Sequence, residues 1–406
     1  MKILIISNLF PPYVLGGYEI LCGQVCKLLA DKGHSISVLT SNHGLKDNCF
    51  VENENFYSNI TVNRSLNVYV PFGKRAGLER RKRHKTQRFN YKITKKLIKQ
   101  DKPDLIFFWS QLRLTIGSAR AAQETNIPIA YTFNDMHITS YLQKPAVFGW
   151  KPRTLYRYFA NHLIFSHITL KGINFDNTTC ISRQLKDDLI SKGLEISNSK
   201  VIYQGIPVEN FPLKDNPGSL DSPVKILYVG QLHNYKGVHT LIKAIKKFEE
   251  KNGANKISLT IAGDGPSEYK ETLKELADKC NSPVSFAGKV SHNSLSEMYR
   301  NHNIFVFPSE WPEPFGLTHL EAMASGLPVI STTSGGHGEF LIDNENCLAF
   351  EKGNYTELAS KLENLINDPE LAERLALAGR QVATEDFSLK RYVNDLEIFI
   401  KNLSTE

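Results

Sequence analysis

Two glutamates, Glu313 and Glu321, stand eight positions apart on either side of Gly316. The stretch from Phe307 to Glu321 reads as a strand ending at Pro308, a proline-bearing loop, and a helix that begins near Gly316. A helix start carries unpaired N–H groups and the positive end of the backbone dipole, so it suits a phosphate. Gly316, lacking a Cβ, lets such a ligand approach the backbone closely. A carboxylate accepts hydrogen bonds from two hydroxyls at once, as the vicinal diols of sugars require. Two carboxylates flanking a phosphate-binding turn therefore fit a hexose on one side and a ribose on the other. Taken singly, either glutamate also reads as an acidic group complementing the helix dipole or as a solvated side chain.

Positioning that turn is the task of an alternating α/β chain. Residues 2–7 form an apolar strand, 8–17 a loop rich in proline and glycine, 18–32 an amphipathic helix that stops at Gly33, and 35–40 the next strand. Strands at 105–109, 129–133, 179–182 and 200–203, with a helix at 114–125, complete a first half. Strands at 225–229, 257–262, 284–286, 304–308 and 328–331 alternate with helices at 238–247, 267–278, 294–300 and 316–325 in a second. This alternation predicts parallel sheets covered by helices on both faces. Pro207, Pro212, Pro217, Gly218 and Pro223 mark 207–223 as the linker between a domain of residues 1–206 and one of residues 224–386, and a final helical segment, 387–406, is expected to return to the first domain. In open α/β sheets, ligands sit beyond the carboxyl ends of the strands, where the Gly316 turn belongs.

A length of 406 residues suits two domains, and 41% hydrophobic with 22% charged residues reads as a soluble globular protein. The apolar start at residues 3–6 is too short for a secretory leader, and no run approaches the roughly 20 apolar residues of a spanning helix. Six scattered cysteines (Cys22, Cys26, Cys49, Cys180, Cys280 and Cys347) suggest free thiols in a reducing cytoplasm. The net charge of +7 is local: residues 74–99 carry twelve basic residues, Lys74 and Arg75 among them, against Glu79 alone, so the remainder of the chain is acidic. Within it Lys85, Arg88, Lys92, Lys95 and Lys99 lie at helical spacing, with Arg80 and Arg81 ahead of them, beside an apolar stripe of Phe89, Ile93 and Leu97. Two readings stand: a helix packed on the core with a solvated basic face, or a surface for an anionic partner such as a membrane or a phosphorylated acceptor. Without a recognised module or interleaved aromatics, nucleic acid is not expected.

The Glu313–Glu321 segment resembles the E-x7-E signature of retaining glycosyltransferases of family 4, which have the GT-B fold: two facing Rossmann-like domains with parallel sheets and a cleft between them. The resemblance extends along most of the chain. Pro11-Pro12 with Gly16-Gly17 is similar to that family's glycine loop, Gly33-His34 to its next turn, and Tyr228-Val229-Gly230-Gln231 with Lys236-Gly237 to the opening of its donor domain. Ile261 to Pro266, Phe286 to Val290 and Gly335-Gly336 with Glu339 follow in the family's order.

What the resemblance implies is transfer of a hexosyl group from a nucleotide diphosphate sugar to an acceptor hydroxyl, with retention. A glycan or lipid-linked saccharide of the cell envelope is the expected acceptor, and the cytoplasm or the inner face of the membrane the expected place. Phe315, Gly316 and Leu317 would offer backbone N–H groups to the diphosphate, Glu321 would hold the ribose, and Glu313 would contact the transferred sugar. Lys236 would neutralise the departing diphosphate, Gly16 and Gly17 would approach it from the first domain, and Gly230, Gln231, Gly265 and Val290 would border the donor. Plainer readings remain for several of these: a solvated turn lysine, turn glycines, and a turn at a strand end. The chain departs from the family twice. Gln231 stands where an arginine is usual, and Asn134 replaces a histidine ahead of Asp135, with His137 close by as either a site residue or a packed histidine. Asn134 orients a hydroxyl but does not shuttle a proton. No Asp-x-Asp, zinc spacing or Walker motif occurs, and Glu268 follows Gly263 and Gly265 where a dinucleotide fingerprint needs a third glycine, so neither metal nor cofactor is expected. A sugar-nucleotide epimerase and a non-catalytic sugar-nucleotide-binding subunit are the alternatives.

Overall fold

The computed structural model describes residues 1–43, 59–70, 80–142 and 169–403. Cys49, Lys74 and Arg75 lie outside the described residues. The chain forms two compact units, Met1–Ile202 with the tail from Val393, and Tyr203–Tyr392.

The first unit is built on a seven-stranded parallel sheet in the order β3-β2-β1-β4-β5-β6-β7. Its strands are β1 (Lys2–Ile6), β2 (Ser35–Ser41), β3 (Thr61–Leu66), β4 (Leu105–Phe108), β5 (Ile129–Phe133), β6 (Thr178–Cys180) and β7 (Lys200–Val201). Ile3, Leu4, Ile5 and Ile6 of β1 are all buried, because helices cover both faces of a central parallel strand. Those helices are α1 (Gly17–Asp31), α2 (Arg80–Asp101), α3 (Gly117–Gln123) and α4 (Arg183–Ser191). Strand β3 was not expected: Thr61–Leu66 is only half-buried and carries Asn63 and Arg64, so it lacks an apolar run.

The basic helix α2 packs by a different face from the one expected. Gln87, Asn90, Thr94 and Ile98 are buried, whereas Phe89 of the proposed packing stripe is 41% exposed. Hydrogen bonds hold the polar side in place. The Asn90 amide donates to the carbonyls of Asn67 and Leu114, and Thr94 Oγ1 donates to Ser118. Gly117 of α3 lets the helices close up, since a Cβ there would lie 2.4 Å from the Gln87 carbonyl oxygen. Lys95 turns to Glu124 at 2.7 Å.

The second unit carries a six-stranded parallel sheet in the order β10-β9-β8-β11-β12-β13. Its strands are β8 (Val224–Val229), β9 (Ile257–Ala262), β10 (Val284–Gly288), β11 (Ile304–Phe307), β12 (Val329–Ser331) and β13 (Leu348–Ala349). Around them lie α5 (Val238–Asn252), α6 (Ser267–Ala277), α7 (His292–Arg300), α8 (Leu317–Ala324), α9 (Tyr355–Asn367) and α10 (Pro369–Glu385). The proline-rich stretch 207–223, expected as a linker, falls within this unit. Lys214 N donates to Ser325 O, Arg380 to Phe211 O, and the Phe211 ring meets Tyr299 edge-on. Strand order reverses between β8 and β11, which opens a crevice above their carboxyl ends.

The last helix, α11 (Leu389–Asn402), leaves the second unit and joins the first from Val393 onward. There Glu397 receives His34, Lys32 and Lys401 at 3.0, 2.9 and 2.6 Å. Those partners hold its carboxyl down at about 2, Lys401 contributing most. Among the described residues, no helix is long and apolar enough to cross a membrane.

Candidate functional site

The crevice at β8 and β11 collects the second unit's site. After β8 the chain passes Gly230 and Gln231 into a single helical turn, Asn234–Lys236, and then Gly237 at φ +68°. A Cβ on Gly237 would fall 1.9 Å from Pro308 O, so the turn is pressed directly against the exit of β11. Glu310 N donates to Tyr235 O at 2.9 Å and closes the contact. Two loops 77 residues apart thereby face one another.

Their meeting point is Lys236 and Glu313. The ammonium lies 2.7 Å from each carboxylate oxygen. Both groups are nearly buried, with Lys236 also set 5.7 Å from the ring centroids of Tyr235 and Phe307. Ser309 Oγ donates to Glu313 Oε1 at 2.5 Å. The glutamate's backbone is held as firmly, since Glu313 N donates to Ser334 O and Gly336 N to Glu313 O. Gly335, at φ +111°, permits that approach because a Cβ would lie 2.4 Å from Glu313 O.

Gly316 follows at φ +123° and opens α8 with Leu317. Beneath it lie two buried imidazoles, His319 and His337, stacked at 5.0 Å with 14° between their planes. His319 Nε2 is 2.9 Å from Ser331 Oγ, and His337 Nε2 is 2.7 Å from Thr332 O. Burial pushes both pKa values down, so both rings are neutral at ordinary pH. A Cβ on Gly316 would meet His319 Nδ1 at 2.7 Å. Phe315 is buried in a cluster with Tyr203, Phe340 and Phe387, which anchors the turn from below.

Glu321, one helical turn and more beyond, is 6% exposed and accepts a hydrogen bond from the Tyr299 hydroxyl of α7 at 2.9 Å. Burial lifts its carboxyl to about 7. Gly265 rests on Leu232, whose carbonyl oxygen a Cβ would meet at 1.9 Å. The Tyr228 hydroxyl donates to Gln231 O, leaving the Gln231 side chain exposed. Val290 is half-buried just past β10.

In the first unit the expected residues gather at the carboxyl ends of β1, β4 and β5. Gly16 caps α1, its N–H donating to Glu19 Oε2 at 2.8 Å, with Gly17 as the first helical residue. Asn134 donates to Trp109 O, and Asp135 accepts from His137 N at 2.7 Å. All three line a recess of about 30 Å³ with Trp109 and Ser110, room for about one water. Burial raises the Asp135 carboxyl and takes His137 down to about 4, with nearby Arg83 and Arg113 adding to the latter. His137 is therefore neutral, and its Nε2 is buried without a partner.

Ser309, Tyr299, His319 and His337 escaped the sequence reading. Ser309 sits four positions before Glu313, a spacing that carries no chemical signal in a loop. Tyr299 and His337 arrive from other elements, as only the folded sheet brings them in.

Two family models divide the chain. One described as Glycosyltransferase Family 4 matches residues 15–210, and one described as Glycosyl transferases group 1 matches residues 212–382. A glycogen synthase of Mycobacterium tuberculosis is 30% identical over 52% of this chain and 50% of its own length. The capsular polysaccharide biosynthesis glycosyltransferase CapM of Staphylococcus aureus is 31% identical over 53% of this chain and 59% of its own. The chain thus spans about half the length of the curated relatives it matches. A structure of Anabaena HepE in complex with UDP-glucose superposes with a TM-score of 0.71 at 20% identity, covering 100% of both chains. At that identity the likeness speaks for the fold alone.

Proposed function

The chain belongs to the glycosyltransferases of family 4, with a group 1 domain in its second half and the two Rossmann-like domains of the GT-B fold, and from that premise we propose that it moves a hexosyl group from a nucleotide diphosphate sugar to an acceptor hydroxyl with retention of configuration. The observation that carries this reading is the Lys236–Glu313 pair held above the start of α8. An incoming diphosphate takes the first-turn N–H groups of α8 beyond Gly316 and competes for the Lys236 ammonium. Glu313, released from its cation, turns its oxygens to the hydroxyls of the transferred sugar, and Glu321 takes the ribose. As the bond from C1 to the phosphate oxygen breaks, charge grows on the diphosphate, and Lys236 offsets it without moving far. The acceptor oxygen bonds to C1 on the same face, and the departing phosphate oxygen takes the acceptor proton. Asn134 and Asp135 orient a hydroxyl, whereas neutral His137 acts by packing.

UDP-glucose, the ligand in the HepE structure of the same fold, is the first donor to try, and CapM supports an envelope polysaccharide as the product class. The acceptor is a glycan or lipid-linked saccharide, and the reaction needs no divalent ion, so EDTA should leave turnover unchanged. A screen of nucleotide sugars by thermal stabilisation, followed by nucleoside diphosphate release and by the anomeric NMR signal of the product, tests the reading. Binding without release points to a non-catalytic subunit, and an isomerised donor to an epimerase.

Helix α2 is the surface we assign to the inner face of the membrane. Phe89 stands exposed amid Lys85, Arg88, Lys92 and Lys96 because the helix spends its polar side on the protein. A cationic face with an apolar wedge binds anionic headgroups. Binding to phosphatidylglycerol vesicles should weaken in Phe89→Ser and vanish on charge reversal of Lys85 and Lys92; equal binding by all three proteins rejects the assignment.

A further inference from the structure

Three aromatic rings stand in a ladder beside the charged pair. His233 and Tyr235 stack at 5.1 Å with 9° between planes, and Tyr235 meets Trp311 at 6.0 Å and 59°. Two of the three are open to solvent, Tyr235 at 43% and Trp311 at 51%. They ride on the same two loops that deliver Lys236 and Glu313, and those loops hold each other through Glu310 N to Tyr235 O at 2.9 Å and through Ser309 Oγ to the same carbonyl at 3.4 Å. The Lys236 ammonium lies 5.7 Å from the centroid of Tyr235, the middle ring of the three, so the ladder lies alongside the reacting charges.

Large rings left adjacent and exposed mark a surface that something else covers. We propose that His233, Tyr235 and Trp311 form a stacking platform for a pyranose ring of the acceptor saccharide. The axial C–H groups of a pyranose carry slight positive charge and lie well on the negative face of an aromatic ring, while its equatorial hydroxyls stay free for polar neighbours. Asn234, exposed between the first two rings, is such a neighbour. His233 serves as a flat ring and not as a cation, because partial burial and then Lys236 lower its pKa.

The assignment of this ring to the acceptor rests on the donor reading above. In that reading the donor's ribose lies at Glu321, its diphosphate at Gly316 and its sugar at Glu313. The platform is joined to the Glu313 end, whereas Glu321 is bonded to Tyr299, and no described ring contact connects Tyr299 to the ladder. Beyond the transferred sugar the next ring belongs to the acceptor, while the nucleobase lies at the opposite end.

Titration with maltotriose, cellotriose and chitotriose, followed by tryptophan emission and by calorimetry, tests the platform. At least one trisaccharide should bind the wild-type chain, and Trp311→Ala and Tyr235→Ala should each weaken it by about tenfold or more, with Trp311→Phe restoring most of the affinity. Thermal stabilisation by UDP-glucose should persist in Trp311→Ala, showing that the variant is folded and its donor site intact. The proposal is overturned if no trisaccharide binds the wild type, or if Trp311→Ala binds it as well as the wild type does. Loss of UDP-glucose stabilisation with trisaccharide binding kept would make the rings a nucleobase platform instead. If UDP-glucose and other nucleotide sugars all fail to stabilise the wild type, the donor reading fails alone, and the trisaccharide result still decides the platform.

Discussion

Lys236→Ala and Glu313→Gln, singly and together, place the charged pair on a thermodynamic cycle. At 2.7 Å the Coulomb attraction is about 6 kcal/mol for an effective dielectric constant of 20, before the cost of desolvating both ions. Both side chains are nearly buried, so most of that cost is real, and a net coupling of about 2–3 kcal/mol is expected. The single substitutions should not be equal. Removing Lys236 strands a buried carboxylate that keeps Ser309 as its remaining donor, at a cost of about 3 kcal/mol. Removing the charge of Glu313 leaves a lysine whose long stem lets its ammonium shift toward water, at a cost of about 1 kcal/mol. Thermal unfolding reads these differences, since each kcal/mol moves Tm by about 2–4 °C in a unit of this size. The double variant should lie above Lys236→Ala in Tm, because no buried charge remains unpaired. On the catalytic side, Lys236→Ala should lower kcat by about 100- to 1000-fold, as loss of one charge-stabilising donor does elsewhere. A coupling below about 0.5 kcal/mol together with unaltered kcat would refute the placement of these two residues at the centre of the site.

Gly237→Ala should cost roughly 3 kcal/mol, combining a left-handed backbone with a contact on Pro308 O, whereas Gly288→Ala, at the same φ of +68° but with open space around it, should cost about 1 kcal/mol; thermal unfolding of both separates the two causes. The Glu321 carboxyl, lifted to about 7, contributes stability that is fully present below its unfolded value near 4.5 and is lost as pH rises through 7. Glu321→Gln keeps the Tyr299 contact and should flatten that decline, whose slope reaches at most about 1.4 kcal/mol per pH unit, in unfolding curves taken from pH 4.5 to 8. Glu397 has the opposite sign: its depressed carboxyl stabilises above about 4.5 and loses that contribution as pH falls toward 2. Glu397→Gln should therefore cost about 1 kcal/mol at neutral pH and little at pH 3, measured as the Tm gap to the wild type.

Legibility differed by element. Strands such as Lys2–Ile6 and Ile304–Phe307 announced themselves because a strand buried on both faces must be apolar throughout. Thr61–Leu66, at the edge of its sheet, needed no such run and passed unnoticed. Helix α2 misled for a related reason. Periodicity identified the helix, but the choice of its inward side was made by Asn67, Leu114 and Ser118, whose oxygens accept hydrogen bonds that Asn90 and Thr94 donate and Phe89 has no means of donating.

The turn at Gly316 and the carboxylates on either side of it were determined by local sequence, because a helix start and its flanking residues are fixed within a few peptide units. What tertiary structure alone decided is the partner of each carboxylate. Glu313 meets Lys236 because strand order reverses between β8 and β11, and Glu321 meets Tyr299 because α7 packs against α8. The histidine stack under Gly316 likewise joins residues 18 positions apart that share no periodicity, His319 from a helix and His337 from a loop past β12. A chain specifies spacing along itself; the sheet's crossover sets which distant loops share a crevice, and burial there sets their charges.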